Sequence, residues 1–159
     1  MNNFTFYNPA RIVFGKDTES QVGDLTKVYG SKVLVHYGGQ SAKASGLLDR
    51  VLKSLKDANM TVYELGGVKP NPRVSLVKEG IELCKKEKID VILAVGGGSV
   101  IDSAKGIALG ALMDEDVWDY YLYGKTVEKV LPLGVVLTIP AAGSESSTSS
   151  VLTDDESLI

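Results

Sequence analysis

The stretch VILAVGGGSVIDSAKGIA, residues 91–108, decides the fold. Its first five residues form a continuous apolar run, which is typical of a strand buried in a parallel sheet. Three glycines and a serine follow, and the spacing of apolar residues after them predicts a helix over residues 100–112. Glycines let backbone amides approach a ligand closely, and a helix begins with unpaired amides and a partial positive charge. The segment therefore predicts a phosphate or pyrophosphate site, with a glycine-rich turn that binds nothing as the alternative.

Strands and helices alternate along the rest of the chain. Further strands are predicted at residues 32–36, 61–65 and 133–139; the first and last are compact apolar runs, and the second ends at Gly66-Gly67. Apolar residues at helical spacing predict further helices at residues 20–29, 46–58 and 74–87. This alternation predicts one α/β domain over residues 1–159 with a mainly parallel sheet.

Two further segments carry weaker signals. Residues 4–7 and 11–14 are β-prone and are separated by Asn8-Pro9, so they predict an N-terminal β-hairpin. Residues 114–124 predict a polar and aromatic loop.

Glycine-rich or small-residue segments follow three of the predicted strands, after His36, Val95 and Ile139. Ligands of parallel α/β sheets bind at the carboxyl ends of the strands. The three segments therefore predict one binding site at a single edge of the sheet.

Composition limits the classes of partner. The net charge of −3 and the absence of a basic stripe argue against nucleic acid. The longest apolar runs, at residues 91–95 and 130–140, are too short to span a membrane, so no membrane partner is expected. A single cysteine rules out an internal disulfide, and the opening MNNFTFYNPARIVFG does not look like a secretory signal. We expect a cytoplasmic protein.

Several polar residues allow two interpretations each. Asp102 and Lys105 either pair on the helix surface or place Asp102 towards the cleft. His36, the one histidine, is expected to be a packing or hydrogen-bonding residue and cannot alone supply a metal site. Cys84 is expected to be a buried apolar residue, and the acidic residues 154–156 a solvated turn. We therefore predict no metal ligands and no catalytic residue within this chain.

Five segments resemble the iron-containing (group III) alcohol dehydrogenases, of the NAD(P)H-dependent butanol dehydrogenase type. In chain order they are FTFYNPARIVFG at the start, KPNPR at 69–73, GGGSVIDSAK at 96–105, DVWDYY at 116–121 and LPLGVVLTIPAAGSE at 131–145. The resemblance implies the N-terminal, Rossmann-like α/β domain of that family, with helices on both faces of the sheet. In the family an all-helical domain that holds Fe²⁺ or Zn²⁺ follows. The cleft between the two domains reduces small aldehydes or oxidises small alcohols such as butanal and butanol.

The resemblance also implies which residues lie at the dinucleotide. Gly97, Gly98 and Ser99 would hold the pyrophosphate, Asp102 would lie near the nicotinamide, and Asn71 by the adenosine. The residues implied at the cofactor are Gly38, Gly39, Gln40, Ser41, Asn71, Gly96, Gly97, Gly98, Ser99, Asp102, Thr138, Ala141, Ala142, Ser144 and Ser147.

The segment Gly38-Gly39-Gln40-Ser41 favours NADP(H) over NAD(H). NAD-preferring members of the resembled family carry an aspartate here, which bonds the ribose hydroxyls and repels a 2′-phosphate. This sequence offers glycines and a hydroxyl instead.

The family's metal ligands, one aspartate and three histidines, would lie beyond the last residue of this chain. We therefore expect a truncated family member that does not turn over substrate alone and that associates, most simply as a homodimer, through exposed apolar surface. A stand-alone nucleotide-binding module without catalysis remains an alternative. Another is an enzyme of the related glycerol-dehydrogenase or dehydroquinate-synthase group, against which the tryptophan-aspartate segment and the AAGSE loop argue.

Overall fold

The computed structural model describes residues 3–5 and 7–157. Four parallel strands form one sheet in the order β2-β1-β3-β4. The strands are Lys32–Tyr37 (β1), Thr61–Leu65 (β2), Val91–Gly96 (β3) and Leu133–Leu137 (β4). The four strands predicted from the sequence are confirmed, with ends that differ by no more than two residues.

Helices connect the strands. They are Val22–Thr26 (α1), Ser41–Ala44 (α2), Leu47–Asp57 (α3), Val74–Glu87 (α4), Gly98–Gly110 (α5) and Val117–Tyr123 (α6). Turns of 3₁₀-helix flank α1 at Thr18–Gln21 and Lys27–Tyr29, and a third lies at Ser144–Ser146. The predicted helix at residues 20–29 is thus one α-helical turn between two 3₁₀ turns.

The sheet is covered on both faces, as the resemblance implies. Alternate residues of a strand point to opposite faces, and the buried residues accordingly divide into two clusters. One cluster packs beneath α4, α5 and α6 and contains Leu34, Val77, Cys84, Ile92, Ile101 and Ile107. The other packs beneath α1 and α3 and contains Val33, Val35, Val51, Leu55, Leu93 and Val95.

The predicted N-terminal hairpin is wrong for the residues that the structure describes. Residues 3–5 and 7–14 form no strand and run exposed along the surface, with Phe14 98% and Ile12 76% exposed. An isolated hairpin is at best marginally stable in water, and this segment buries no apolar face that could support one. Phe6, in the middle of the first β-prone run, lies outside the described residues.

The predicted loop at residues 114–124 contains helix α6. Asp116 is the N-cap of this helix, and its Oδ1 accepts a 2.9 Å hydrogen bond from the Trp118 backbone amide. Inside the helix Val117 is buried, and the Trp118 and Tyr121 rings stack with centroids 5.9 Å apart. An N-cap and an aromatic pair at i,i+3 stabilise a short helix whose composition resembles that of a loop.

Within the described ranges, no helix is long and apolar enough to cross a lipid bilayer.

Candidate functional site

The sheet has a reversal point, at which the order in which the chain adds strands changes from one side of the sheet to the other. β2 lies on one side of β1 and β3 on the other, so the connections leave β1 and β3 in opposite directions. Tyr37 lies level with Val95 in the register, and Gly96 lies level with Leu137. The three small-residue segments therefore meet at one edge of the sheet, which confirms their predicted clustering. Ligands of parallel α/β sheets bind in this kind of crevice.

Gly96, Gly97 and Gly98 differ in what surrounds them. A Cβ on Gly96 would lie 2.6 Å from Cγ2 of Val100, so this glycine allows close packing of β3 against α5. A Cβ on Gly98 would meet no atom within 4 Å, and one on Gly97 would meet only Cβ of Ile139, at 3.9 Å. The backbone at Gly97 and Gly98 is therefore open towards the crevice.

Helix α5 begins at this open backbone. Gly97 is its N-cap, with φ −100° and ψ −164°, and its carbonyl accepts the amides of Val100 and Ile101, each at 3.1 Å. The first amides of a helix have no carbonyl partner within it, and the helix dipole makes this end positive. The helix start at Gly98 and Ser99 thus has the geometry of an anion site.

The segment after β4 lies beside the glycine turn. The Thr138 amide donates a 3.0 Å hydrogen bond to the Gly96 carbonyl. Thr138, Ala141 and Ala142 are exposed along the crevice edge. Small side chains at these positions leave room for a flat ligand.

Asp102 and Lys105 are joined through a third residue, Ser144. The Ser144 hydroxyl donates to Oδ1 of Asp102 at 2.6 Å and accepts from Nζ of Lys105 at 3.0 Å. Ser144 is buried, and Lys105 is partly buried. Burial lowers the pKa of Lys105, although the nearby carboxylates of Asp102 and Glu145 act in the opposite direction. Asp102 therefore faces the loop after β4, which excludes a simple surface pair with Lys105.

The same two side chains hold the far end of this loop. Oδ2 of Asp102 accepts the Val151 amide at 3.2 Å, and Nζ of Lys105 donates to the Ser149 carbonyl at 2.6 Å. Ser147, which lies between Ser144 and Ser149, is exposed, and its hydroxyl accepts the Ser149 amide at 3.0 Å. Helix α5 thus shapes the whole loop from residue 144 to residue 151.

The segment after β1 lines the other side of the crevice. A Cβ on Gly38 would lie 3.6 Å from Cγ2 of Val100, whereas one on Gly39 would meet no atom within 4 Å. Gln40 precedes α2 and Ser41 begins it; both are exposed. Lys43 on α2 places its Nζ 5.3 Å from the centroid of the Tyr37 ring. This side of the crevice is open, and the ammonium group of Lys43 lies beside it.

The loop after β2 is tied to the end of β1. The Gly67 amide donates to the Gly38 carbonyl at 3.2 Å, and the Val68 amide to the Tyr37 carbonyl at 3.3 Å. Asn71 lies farther along this loop, exposed and in the left-handed region with φ 56°.

His36 is a buried hydrogen-bonding residue, as expected from the sequence. Its ring makes two 2.8 Å hydrogen bonds, through Nδ1 with the Leu65 carbonyl and through Nε2 with the Ser103 hydroxyl. Burial lowers the pKa of His36 from 6.5 to about 4. Ser103 was not among the site residues predicted from the sequence. The sequence signal that could have identified it is a serine one helical turn after Ser99, directly beside Asp102.

The residues that could bind a metal are dispersed. Among residues 3–5 and 7–157 no group of three or more His, Cys, Asp or Glu side chains comes together. The acidic residues 154–156 form a turn in which Oδ2 of Asp155 accepts the Ser75 amide at 2.9 Å. The described residues therefore do not fit a catalytic metal ion.

A parallel α/β sheet with an open glycine turn at its reversal point defines the class of nucleotide-binding α/β proteins. The chain belongs to the iron-containing alcohol dehydrogenase family, whose model matches residues 9–158.

Relatives within this family are closely similar. The chain is 49% identical over 156 residues to the probable NADH-dependent butanol dehydrogenase 1 of Bacillus subtilis, covering 98% of this chain and 40% of the relative. It is 40% identical over 155 residues to the NADPH-dependent aldehyde reductase YqhD of Escherichia coli, covering 96% of this chain and 39% of the relative.

A solved structure shares this fold and, like the relatives above, is much longer than this chain. The NADH-dependent butanol dehydrogenase A of Thermotoga maritima superimposes with a TM-score of 0.94 at 48% identity, covering 97% of this chain and 39% of that chain. The present chain thus spans about 40% of the length of these relatives.

Proposed function

We propose that this chain is the dinucleotide-binding part of a metal-dependent alcohol dehydrogenase or aldehyde reductase. The observation that carries the proposal is the open backbone of Gly97 and Gly98 at the start of α5, located where the sheet reverses. Family membership supplies the class of ligand, since the relatives named above are described as NADH- or NADPH-dependent. The substrate would be a small primary alcohol or aldehyde, of the size of butanol or butanal.

The proposal assigns a place to each group of site residues. The amides of Gly97, Gly98 and Ser99 would bind the pyrophosphate, and Gly96 would let α5 pack closely against β3 behind them. Thr138, Ala141, Ala142 and Ser147 would flank the nicotinamide half, with Asp102 and Ser144 fixing their loop. Gly38, Gly39, Gln40, Ser41 and Asn71 would surround the adenosine half. When bound, the nicotinamide supplies or accepts the hydride.

NADP(H) is the cofactor that we propose this chain prefers. The open space at Gly39 and the exposed Ser41 leave room for a 2′-phosphate, and Lys43 on the same short helix adds a positive charge. Relatives of both preferences exist, since the Bacillus protein is named for NADH and the Escherichia protein for NADPH. Titration of the protein with each cofactor, followed by the fluorescence of the bound nicotinamide, tests the preference. Tighter binding of NADH than of NADPH would refute it.

Turnover requires more than these residues, because the described side chains do not assemble a metal-ligand set. In the proposed full-length enzyme the metal would polarise the carbonyl oxygen of the substrate. We therefore propose that the 159-residue chain binds the cofactor without reducing aldehydes.

One experiment separates the two parts of this proposal. The purified chain is titrated with NADPH, and the same preparation is assayed for oxidation of NADPH in the presence of butanal and added Fe²⁺ or Zn²⁺. We expect saturable binding without turnover. An absence of binding contradicts the dinucleotide site, whereas measurable reduction of butanal contradicts the inactivity of the isolated chain.

We also propose that the chain associates as a homodimer in the cytoplasm. Phe4, Tyr7, Ile12 and Phe14 are each at least 76% exposed in one N-terminal segment, and apolar surface of this kind favours association. Its one cysteine, Cys84, is a buried free thiol, which suits a reducing compartment. Light scattering after size-exclusion chromatography measures the association, and a monomer at micromolar concentration would refute it.

A further inference from the structure

We infer that the buried pair His36 and Ser103 positions the phosphate-binding turn, and that its hydrogen bond tunes cofactor affinity. The inference rests on the proposed dinucleotide site. It makes His36 and Ser103 positioning residues, because both are 0% exposed and lie behind the crevice.

The tautomer of His36 follows from its partners. Nδ1 faces the Leu65 carbonyl, which can only accept, so Nδ1 carries the proton and donates. Nε2 of the neutral ring then has a lone pair, and the Ser103 hydroxyl donates to it at 2.8 Å. The lowered pKa of His36 agrees with a neutral ring.

These two bonds join three elements at the reversal point of the sheet. His36 belongs to β1, Leu65 ends β2, and Ser103 lies on α5. The ring therefore connects the strand ends to the helix whose first residues form the anion site. A histidine has the reach for this connection, since its two ring nitrogens point in different directions.

Ser103 lies close enough to the turn to affect it. It lies one helical turn beyond Ser99, on the same side of α5. Val100, between them, packs against Gly96 and near Gly38. The start of α5 is thus held by the buried side chains of Val100 and Ile101, by the hydrogen bonds of Asp102 with the loop after β4, and by the hydrogen bond of Ser103 with His36. Without this hydrogen bond, α5 loses its hydrogen-bonded connection to β1, so its first turn can shift relative to the strand ends and the amides of Gly98 and Ser99 lose part of their preset direction.

Preset donors bind more tightly than donors that must be ordered on binding. A shift of the first turn of α5 therefore weakens binding of the pyrophosphate even where the fold is retained. A purely structural role for the pair predicts something else, namely lower stability with unchanged affinity of the folded protein.

Two substitutions at His36 separate its two hydrogen bonds. In H36N the side-chain amide takes the place of Nδ1, so the donor to Leu65 is kept and the acceptor for Ser103 is lost. In H36Q the amide oxygen reaches the place of Nε2, so the acceptor for Ser103 is kept. We expect H36N to weaken NADPH binding about three- to tenfold, which is the effect of one hydrogen bond, and H36Q to restore most of the loss.

Ser103→Ala tests the same bond from the other side. It removes the donor, and we expect a similar loss of affinity. The double variant H36N/S103A is expected to bind no more weakly than the weaker single variant, because both changes remove one interaction. Additive losses would overturn the inference.

Ile107→Val provides the control for stability. Ile107 is fully buried on the same helix, and this substitution lowers stability by an amount comparable to the loss of a hydrogen bond. NADPH titration is run below the melting temperature of every variant, together with thermal unfolding. The inference requires weaker binding in H36N and S103A but not in I107V.

The outcomes distinguish the inference from the proposed function. If the wild-type chain binds no NADPH, the dinucleotide site itself is refuted. If the wild-type chain binds and folded H36N and S103A bind equally well, the site stands and the positioning role is refuted. Amide chemical shifts of residues 97–99 in the unliganded variants provide a second readout, which the positioning role requires to move in H36N and not in I107V.

Discussion

The hydroxyl of Ser144 and the carboxylate of Asp102 are joined by a 2.6 Å hydrogen bond across 42 residues of chain. Asp102 lies on the helix that follows β3, and Ser144 lies in the loop that follows β4. The bond therefore connects the helix whose first residues are proposed for the pyrophosphate with the loop proposed for the nicotinamide. Its geometry makes Asp102 an organiser of the crevice, in addition to any contact that it makes with the cofactor.

Asp102→Ala is predicted to release the loop from residue 144 to residue 151. The substitution removes the acceptor for both the Ser144 hydroxyl and the Val151 amide, and bonds to charged groups are among the stronger ones. We expect amide hydrogen exchange in this loop to become about tenfold faster or more, while exchange in β1 and β3 changes little. Hydrogen exchange followed by mass spectrometry measures both regions.

Asp114→Ala is the matched control. It removes the same charge and side chain at an exposed position before α6. Equal acceleration of loop exchange in the two variants would show that Asp102 does not anchor the loop.

The buried neutral His36 is predicted to make the protein sensitive to acid. Its pKa is about 4 in the folded protein, against 6.5 for an ordinary histidine. Above pH 6.5 the lowered pKa has almost no effect on the free energy of unfolding, because His36 is neutral in both the folded and the unfolded chain. As the pH falls below 6.5, the unfolded chain takes up the proton first. Stability is therefore lost between pH 6.5 and pH 4, amounting to about 2 kcal/mol at pH 5.

Urea denaturation at pH 7.5 and at pH 5 measures this loss. H36N lacks the titrating ring but retains every carboxylate, so its free energy of unfolding should fall less over the same interval. The same loss of stability in both proteins would assign the acid sensitivity to other groups.

Gly98→Ala is predicted to impair binding without impairing folding. The new Cβ meets no protein atom within 4 Å and lies at the first position of α5, where alanine is well tolerated. The methyl group would occupy the space into which the pyrophosphate must come. We expect a melting temperature within about 2 °C of the wild type and NADPH binding weakened about tenfold or more.

Gly96→Ala, two residues earlier, is predicted instead to lower the stability of the fold. Its Cβ would lie 2.6 Å from Cγ2 of Val100, so the strand and helix must separate. Overpacking of this kind costs about 1–3 kcal/mol. Thermal unfolding and calorimetric titration of both variants test the pair, and strong NADPH binding by Gly98→Ala would contradict the open turn as the phosphate site.

The parts of the fold that depend on local pattern could be predicted from the sequence. Short strand-like segments bounded by turn residues identified all four strands, three of them as largely apolar runs, and helical spacing identified α3 and α4 to within a residue or two. The N-terminal hairpin was wrong because β-prone residues need a surface to pack on, and the sequence does not show whether one is available. Helix α6 was missed because its stability comes from the Asp116 cap and the Trp118–Tyr121 stack.

The site could be predicted as a set of segments but not as a network. Glycines after strands indicated where a ligand would approach. The spacing of Asp102 and Lys105 allowed two arrangements. Ser144, which binds both side chains, comes from the loop after β4, and only the folded chain brings this loop next to α5. The His36–Ser103 bond likewise depends on the register between a strand and a helix 67 residues apart.

Gly39→Asp is predicted to reverse the proposed cofactor preference. A side chain fits at this exposed position, where a Cβ meets no atom within 4 Å. The carboxylate, just after the end of β1, would bond the ribose hydroxyls of NADH and repel the 2′-phosphate of NADPH. We expect NADPH binding to weaken about tenfold or more and NADH binding to change by less than about threefold. Gly39→Asn, which has the same shape without the charge, is the control and should weaken NADPH binding far less. If the two variants lose NADPH affinity equally, the size of the new side chain and not its charge causes the loss. Residues 38–41 then do not select the cofactor in the proposed way.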